Sequence, residues 1–203
     1  MDSEKNKLKI CHVITRMIVG GAQENTLLTI KGHIEKGHEV VLVTGFSPGR
    51  EGELLKNVEM PSFPIVEIPE MVREISPFKD LKALSRLREY FKREKFDVVH
   101  THSSKAGIIG RIAARQAGVP VVVHTVHGQA FHPYQSKWKN RLYIALERFA
   151  AKYCDKIYVV AQAMIERGYV ASIHEAFARY IGDDCPCYVA SERFSMAEAL
   201  RLM

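Results

Sequence analysis

Four short stretches of the 203-residue chain gather the residue types that do chemistry. They are Gly20-Gly21-Ala22-Gln23, Thr44-Gly45, His100-Thr101-His102-Ser103-Ser104 and His127-Gly128-Gln129. Each follows an apolar, β-branched run. Gly20 and Gly21 have no β-carbon, so backbone N–H groups there can come close to a phosphate at the head of a following helix. The same pair also makes a tight turn with no ligand, and the spacing is neither G-x-G-x-x-G nor a P-loop. His100 and His102 are two apart on a strand and share a face. Two imidazoles on one side suit a polar ligand; equally, one is packed and the other half-exposed. No Asp, Glu or Cys accompanies them, so third and fourth ligands are missing and no metal is expected. A histidine at a strand end, as His127 is, can hold a sugar hydroxyl or donate a proton, or it can cap its loop. His124 reads as a strand residue. Cys185-x-Cys187 is too close for a zinc knuckle and lacks a second pair.

The elements that must position these residues alternate. Apolar runs at Leu8–Ile14, Glu39–Gly45, Pro64–Pro69, Phe96–His102, Val119–His127 and Lys156–Ala161 predict strands. The prolines flanking the third predict an edge strand. Helical spacing predicts helices over Asn25–Lys36, 49–57, 79–95, Ala106–Ala117 and Trp138–Tyr153. Strands separated by helices give a parallel sheet covered on both faces. The expected fold is therefore α/β: a Rossmann-like, doubly wound parallel sheet over residues 1–161. In such sheets ligands bind at the carboxyl ends of the strands, where the four stretches fall. After Ala161 the rhythm fails. Ala163–Gly168 and Ile173–Ile181 look helical, Cys185–Val189 is a loop or strand, and Ser195-Met196-Ala197-Glu198 is a capping box opening a last helix. Residues 162–203 thus read as a short helical tail.

With 47% apolar and 26% charged residues, the chain is neither disordered nor low in complexity. No apolar run is long enough to span a bilayer, and Met1-Asp2-Ser3-Glu4-Lys5 lacks the apolar core of a signal peptide. Four scattered cysteines are not a disulfide framework, which fits thiols in a reducing, cytoplasmic compartment. The net charge of +6 is uneven: all fifteen lysines lie at or before Lys156. Such a step can mark a boundary. Residues 73–95 hold eight Lys/Arg against four acids. With Leu84, Leu87 and Phe91 on its apolar face, the helix at 79–95 is either a membrane-surface helix or a core helix with a solvated basic face. No aromatics are clustered for base stacking, so nucleic acid is not an expected partner.

The stretches His12-Val13-Ile14, Gly20–Thr26, Gly37-His38-Glu39-Val40 and Thr44-Gly45 resemble the N-terminal domain of family-4-type retaining glycosyltransferases, the two-Rossmann (GT-B) class. Val72–Pro77, Asp97–Gly107, Val119-Pro120 and His124–Gly128 continue that resemblance in order, over about residues 8–161. It implies half of an enzyme that moves a sugar from a nucleotide-sugar, with retention, to a lipid-linked or polysaccharide acceptor. No cofactor is implied. The resemblance makes His127 the catalytic candidate, in contact with the transferred sugar, and puts Gly20 and Gly21 at the diphosphate. It makes Arg73, His100, His102, Ser103 and Ser104 candidates for holding the acceptor. The family's second domain, with its E-x₇-E motif, has no counterpart here, so the chain is expected to be inactive alone.

Val160–Val170, Glu175–Gly182 and Ala197–Leu200 resemble the closing segment of PHP-type metal phosphoesterases, without the histidine ligand that precedes it there. A junction near residues 158–165 is expected on this ground. Two alternatives follow: a metal-dependent phosphoesterase, or a non-catalytic binding domain.

Overall fold

The computed structural model describes residues 7–46, 61–128 and 134–160, and the backbone of the strand 187–189. Among the described residues, seven strands make one sheet: β1 (Lys9–Ile14), β2 (Glu39–Thr44), β3 (Ile65–Glu67), β4 (Val98–His102), β5 (Val121–Val126), β6 (Lys156–Val159) and β7 (Cys187–Val189). Every pairing is parallel, in the order β3-β2-β1-β4-β5-β6-β7. The proline-flanked β3 lies at one edge, as expected. The order reverses between β1 and β4, where the chain crosses from one edge back over β1. That reversal opens a crevice between the two strand ends, the usual ligand position in open α/β sheets.

Helices α1 (Gly21–Glu35), α2 (Pro77–Glu94), α3 (Ser104–Ala117) and α4 (Lys137–Ala151) cover the sheet. Alternation along the strands sorts the core into two layers. Ile14, Leu42 and Val40 pack against Leu27 and Ile30 of α1. On the other face, Cys11, Val13, Val41, Val43 and Val99 pack against Leu87 and Phe91 of α2 and Ile109 and Ala113 of α3. Helix α4 joins α3 through the buried ion pair of Arg111 Nη2 and Glu147 Oε2, 2.6 Å apart. Close approach of α3 depends on its glycines. A β-carbon on Gly110 would lie 2.8 Å from Thr101 Cγ2, and one on Gly107 would press on the His124 ring.

Several expected boundaries shift. Helix α1 starts at Gly21 and not at Asn25, because Gly20 O already accepts from Gln23 N and Glu24 N. Helix α2 starts at Pro77, a proline being suited to the first turn. Its Leu87 and Phe91 are buried in the core, so the apolar face considered for a membrane is spent on packing. The stretch Cys185–Val189 supplies β7, so the sheet draws on chain beyond residue 161. The helices expected at 49–57, Ala163–Gly168, Ile173–Ile181 and after Ser195 lie outside the described residues.

Candidate functional site

The carboxyl ends of β1 and β4 are tied together by side chains. Thr15 Oγ1 and Ser103 Oγ are 2.8 Å apart, and Ala106 N donates to Thr15 Oγ1 at 3.2 Å. Ser103 takes φ 61 and ψ 155, a left-handed extended conformation that side chains rarely adopt. It is the N-cap of α3 but does not cap it; its hydroxyl turns to Thr15 instead. Ser104 opens the helix beside it. Gly20 is the N-cap of α1 and, having no side chain, leaves that start without a cap of its own. Gly21, exposed and with open space where a β-carbon would be, leaves the positive end of α1 accessible. Arg73 is exposed on the segment between β3 and α2. That segment reaches the head of α3, where Lys105 bonds Glu74 O and pairs with Asp80 at 2.6 Å. Gly45, at the end of β2, donates to Thr15 O at 3.1 Å; a β-carbon there would collide with the backbone of Met71 and Thr15.

The histidines depart from expectation. His100 and His102 share a face, as predicted, but both are buried, so their rings do not line an open crevice. The cause is register. His12 of β1 stands beside His100 of β4, and α1 lays His33 over His12. His33 Nδ1 lies 3.1 Å from His12 Nε2, His12 Nδ1 3.0 Å from His102 Nε2, and His102 Nδ1 3.0 Å from His127 Nε2. His100 stands outside this line, its ring centroid 4.1 Å from that of His102 and tilted 34° to it, with Nε2 bonded to Thr125 Oγ1 at 2.7 Å. Only His127 of this line, half-buried just past β5, reaches the surface of the crevice. His124 is a strand residue facing α3 and bonded to Thr101, as read from sequence.

Burial pushes all of these imidazoles down, because the charged form loses its hydration. His127 falls to about 4 from burial alone. His33 falls to about 4, with His38 and Lys36 adding repulsion. His12, His100, His102 and His124 are also held well below the ordinary histidine value, by burial first and second by the neighbouring imidazoles, which disfavour a proton on one another, with Arg111 adding to the effect at His124. At neutral pH the site is therefore uncharged at its histidines and offers neutral N–H donors and lone pairs.

Sequence reasoning passed over His12 and His33. His33 had a signal, falling with Leu27 and Ile30 on the buried stripe of α1. His12 had none until the register of β1 against β4 was known. His12 also corrects the view that a third metal ligand is missing: ring nitrogens of His12, His100 and His102 lie within 4.8 Å of one another. The donor set still fits a metal poorly. Zinc accepts three histidines, but here both ring nitrogens of His12 and of His102 are already bonded to neighbouring rings, and a divalent charge would be buried with no counter-charge.

Comparison with known proteins places the chain in a family. Residues 20–171 match the family described as Glycosyl transferase 4-like domain. The match runs into the start of the segment that resembles a phosphoesterase. An Escherichia coli protein described as UDP-Gal:alpha-D-GlcNAc-diphosphoundecaprenol alpha-1,3-galactosyltransferase is 41% identical over 152 residues, which is 75% of this chain and 38% of that protein. A Staphylococcus aureus capsular polysaccharide biosynthesis glycosyltransferase, CapM, is 32% identical over 124 residues, 59% of this chain and 29% of its own length. The chain thus spans between a quarter and two-fifths of these relatives. A glycosyltransferase structure from Rickettsia africae superposes with a TM-score of 0.56 at 18% identity, over 90% of this chain and 42% of that one, which supports the fold alone. The parallel sheet with its β1/β4 reversal is the fold of a GT-B N-terminal domain, and the chain belongs to the glycosyl transferase 4-like family.

Proposed function

We propose that the chain is the acceptor-side half of a retaining glycosyltransferase. The whole enzyme transfers a sugar from a nucleotide-sugar to a lipid-linked or polysaccharide acceptor. The observation that carries this reading is the company His127 keeps. A neutral, half-buried imidazole stands at the same sheet edge as the uncapped start of α1 and the Thr15–Ser103 tie. A neutral imidazole can hydrogen-bond a sugar hydroxyl without the desolvation cost of a buried charge. The helix start, with Gly20 and Gly21, accommodates a diphosphate oxygen. Ser103, Ser104 and Arg73 border the same opening and are assigned to the acceptor. His100 and His102 act from behind it, since neither ring is exposed. The E. coli relative's name includes a diphosphate-linked lipid acceptor, which suits an opening with one anion-binding helix start and one hydroxyl-binding histidine.

The test is binding of a short-chain GlcNAc-diphosphate-lipid analogue to the 203-residue protein. Removal of one charge-free hydrogen bond and its packing, in His127→Ala, is expected to weaken binding by about 10-fold, roughly 1.4 kcal/mol. Gly21→Glu, which sets a carboxylate at the helix start, is expected to weaken it further. Binding unaffected by both substitutions overturns the reading.

A further inference from the structure

The line His33–His12–His102–His127 crosses the sheet from the inner face of α1 to the crevice, and three bonds of 3.0–3.1 Å join it. Each neutral imidazole has one N–H and one lone pair. Every internal ring uses both nitrogens within the line, so the tautomers cannot be chosen independently. Either every ring carries its proton on Nδ1, or every ring carries it on Nε2. The far end decides between them. His33 Nε2 is buried without a partner. With protons on Nε2 throughout, His33 would bury an unpaired N–H; with protons on Nδ1 it buries a bare lone pair, the more tolerated defect.

We infer that His33, His12 and His102 are positioning residues that lock His127 as the Nδ1–H tautomer, with Nε2 accepting from His102 Nδ1–H and Nδ1–H turned to the ligand. Free histidine favours the opposite tautomer, so the lock reverses the default. The bound ligand must then present an oxygen lone pair, from a sugar hydroxyl or from a phosphate. The surroundings do not compete for the line. The groups that face it are His100 beside His102 and His12, Tyr158 beyond His100, His38 and Lys36 beside His33, and His124 with Arg111 behind the sheet. All the charges among them are positive, so none draws a proton onto the line.

The inference rests on the proposed reading only for its ligand; the tautomer order stands apart from it. It is tested by long-range nitrogen–proton NMR of the histidine-labelled protein at neutral pH. His12, His102 and His127 are expected as Nδ1–H tautomers. In His33→Glu a carboxylate at the far end accepts from His12 Nε2–H, so every proton of the line is expected to move to Nε2 and His127 to flip to the Nε2–H form. His102→Phe, which removes the ring that donates to His127, serves if His33→Glu does not fold; there His127 is expected to lose its single tautomer. Wild-type His127 as the Nε2–H form, or a His127 signal indifferent to both substitutions, overturns the lock. So does His12 as the Nε2–H form together with one tightly held metal per chain. Inorganic pyrophosphate and methyl α-D-glucoside, added separately, show which oxygen the His127 Nδ1–H signal answers to. If it answers to neither while the tautomers are as expected, the lock holds and the assignment of His127 to a ligand fails.

Discussion

Below pH 6.5 the unfolded chain takes up protons on histidines that the folded chain keeps neutral. His33 stays neutral in the fold to about pH 4, so between 4 and 6.5 the unfolded state binds the extra proton. Stability from this group is complete above pH 6.5 and declines as pH falls; by pH 5 the loss is about 2 kcal/mol. His12, His100, His102, His124 and His127 act in the same direction, each depressed by burial. Circular dichroism against pH is expected to show cooperative unfolding well above pH 4, and a His33→Leu variant is expected to move that midpoint to lower pH. Ser103 makes a second residue-scale case. Its backbone conformation suits glycine, while its hydroxyl ties two strands together. Ser103→Ala loses the bond and keeps the strain, at a cost of about 1–2 kcal/mol. Ser103→Gly loses the bond but relieves the strain, so it is expected to melt higher than Ser103→Ala, the reverse of the usual order of glycine and alanine. The residues at this scale were partly legible. His127, Gly20 and Gly21 announce themselves by type at strand ends. The depth of His102 does not, because it depends on what α1 brings to the other side of β1.

At the scale of elements, strands were easier to read than helix starts. A run such as Val98–His102, buried at every position, has no competing interpretation once Asp97 and the Ser103-Ser104 pair bound it. The start of α1 was misplaced by four residues because nothing but Gly20 O marks it. Helix α2 shows what periodicity can and cannot say. Its spacing identified the helix, and Leu87 and Phe91 went to the core. Which residues remain outside depended on how the helix tilts at its beginning. There Phe78 is 89% exposed and Leu81 67%, with Ile75 just before them. Lys79 and Lys82 flank these side chains, and Lys82 pairs with Glu70. Any contact of this helix with a membrane therefore runs through its first turn and not through the face bearing Leu84, Leu87 and Phe91. Where the chain sediments with anionic phospholipid vesicles, Phe78→Glu with Leu81→Glu is expected to abolish it while leaving the melting temperature within about 2 °C, since neither side chain is buried. Vesicle binding that survives the double substitution would remove α2 from the membrane contact.

For the whole molecule, one wall of a cleft is present in the described residues. The E. coli relative is matched over 38% of its length. A leaving diphosphate held by one helix start lacks the preorganised donors and dry surround that usually lower such barriers most. The 203-residue chain by itself is expected to bind UDP-sugars at best in the millimolar range, about −4 kcal/mol, and not to turn them over. Calorimetry with a panel of nucleotide-sugars, and transfer assays with lipid-linked acceptors, check both points. Micromolar nucleotide binding or transfer on the order of 1 s⁻¹ would show a self-sufficient enzyme. The doubly wound sheet was legible at this scale from alternation alone, because parallel strands need helical crossovers. The place of β7 was not. A three-residue strand far along the chain carries no periodicity, and its position beside β6 is set by pairing and not by its own sequence.

The crossing that puts β1 beside β4 also sets a schedule. His12 and His102 are 90 positions apart. At ordinary rates of synthesis that gap is about 5–20 s. During it β1 has β2 for a neighbour and nothing on its other edge. That edge is the run Ile10–Ile14, apolar and rich in β-formers, a ready template for the wrong strand. The nascent chain is therefore most vulnerable to mispairing and chaperone capture before residue 102 leaves the ribosome, and His127 finds its partner later still.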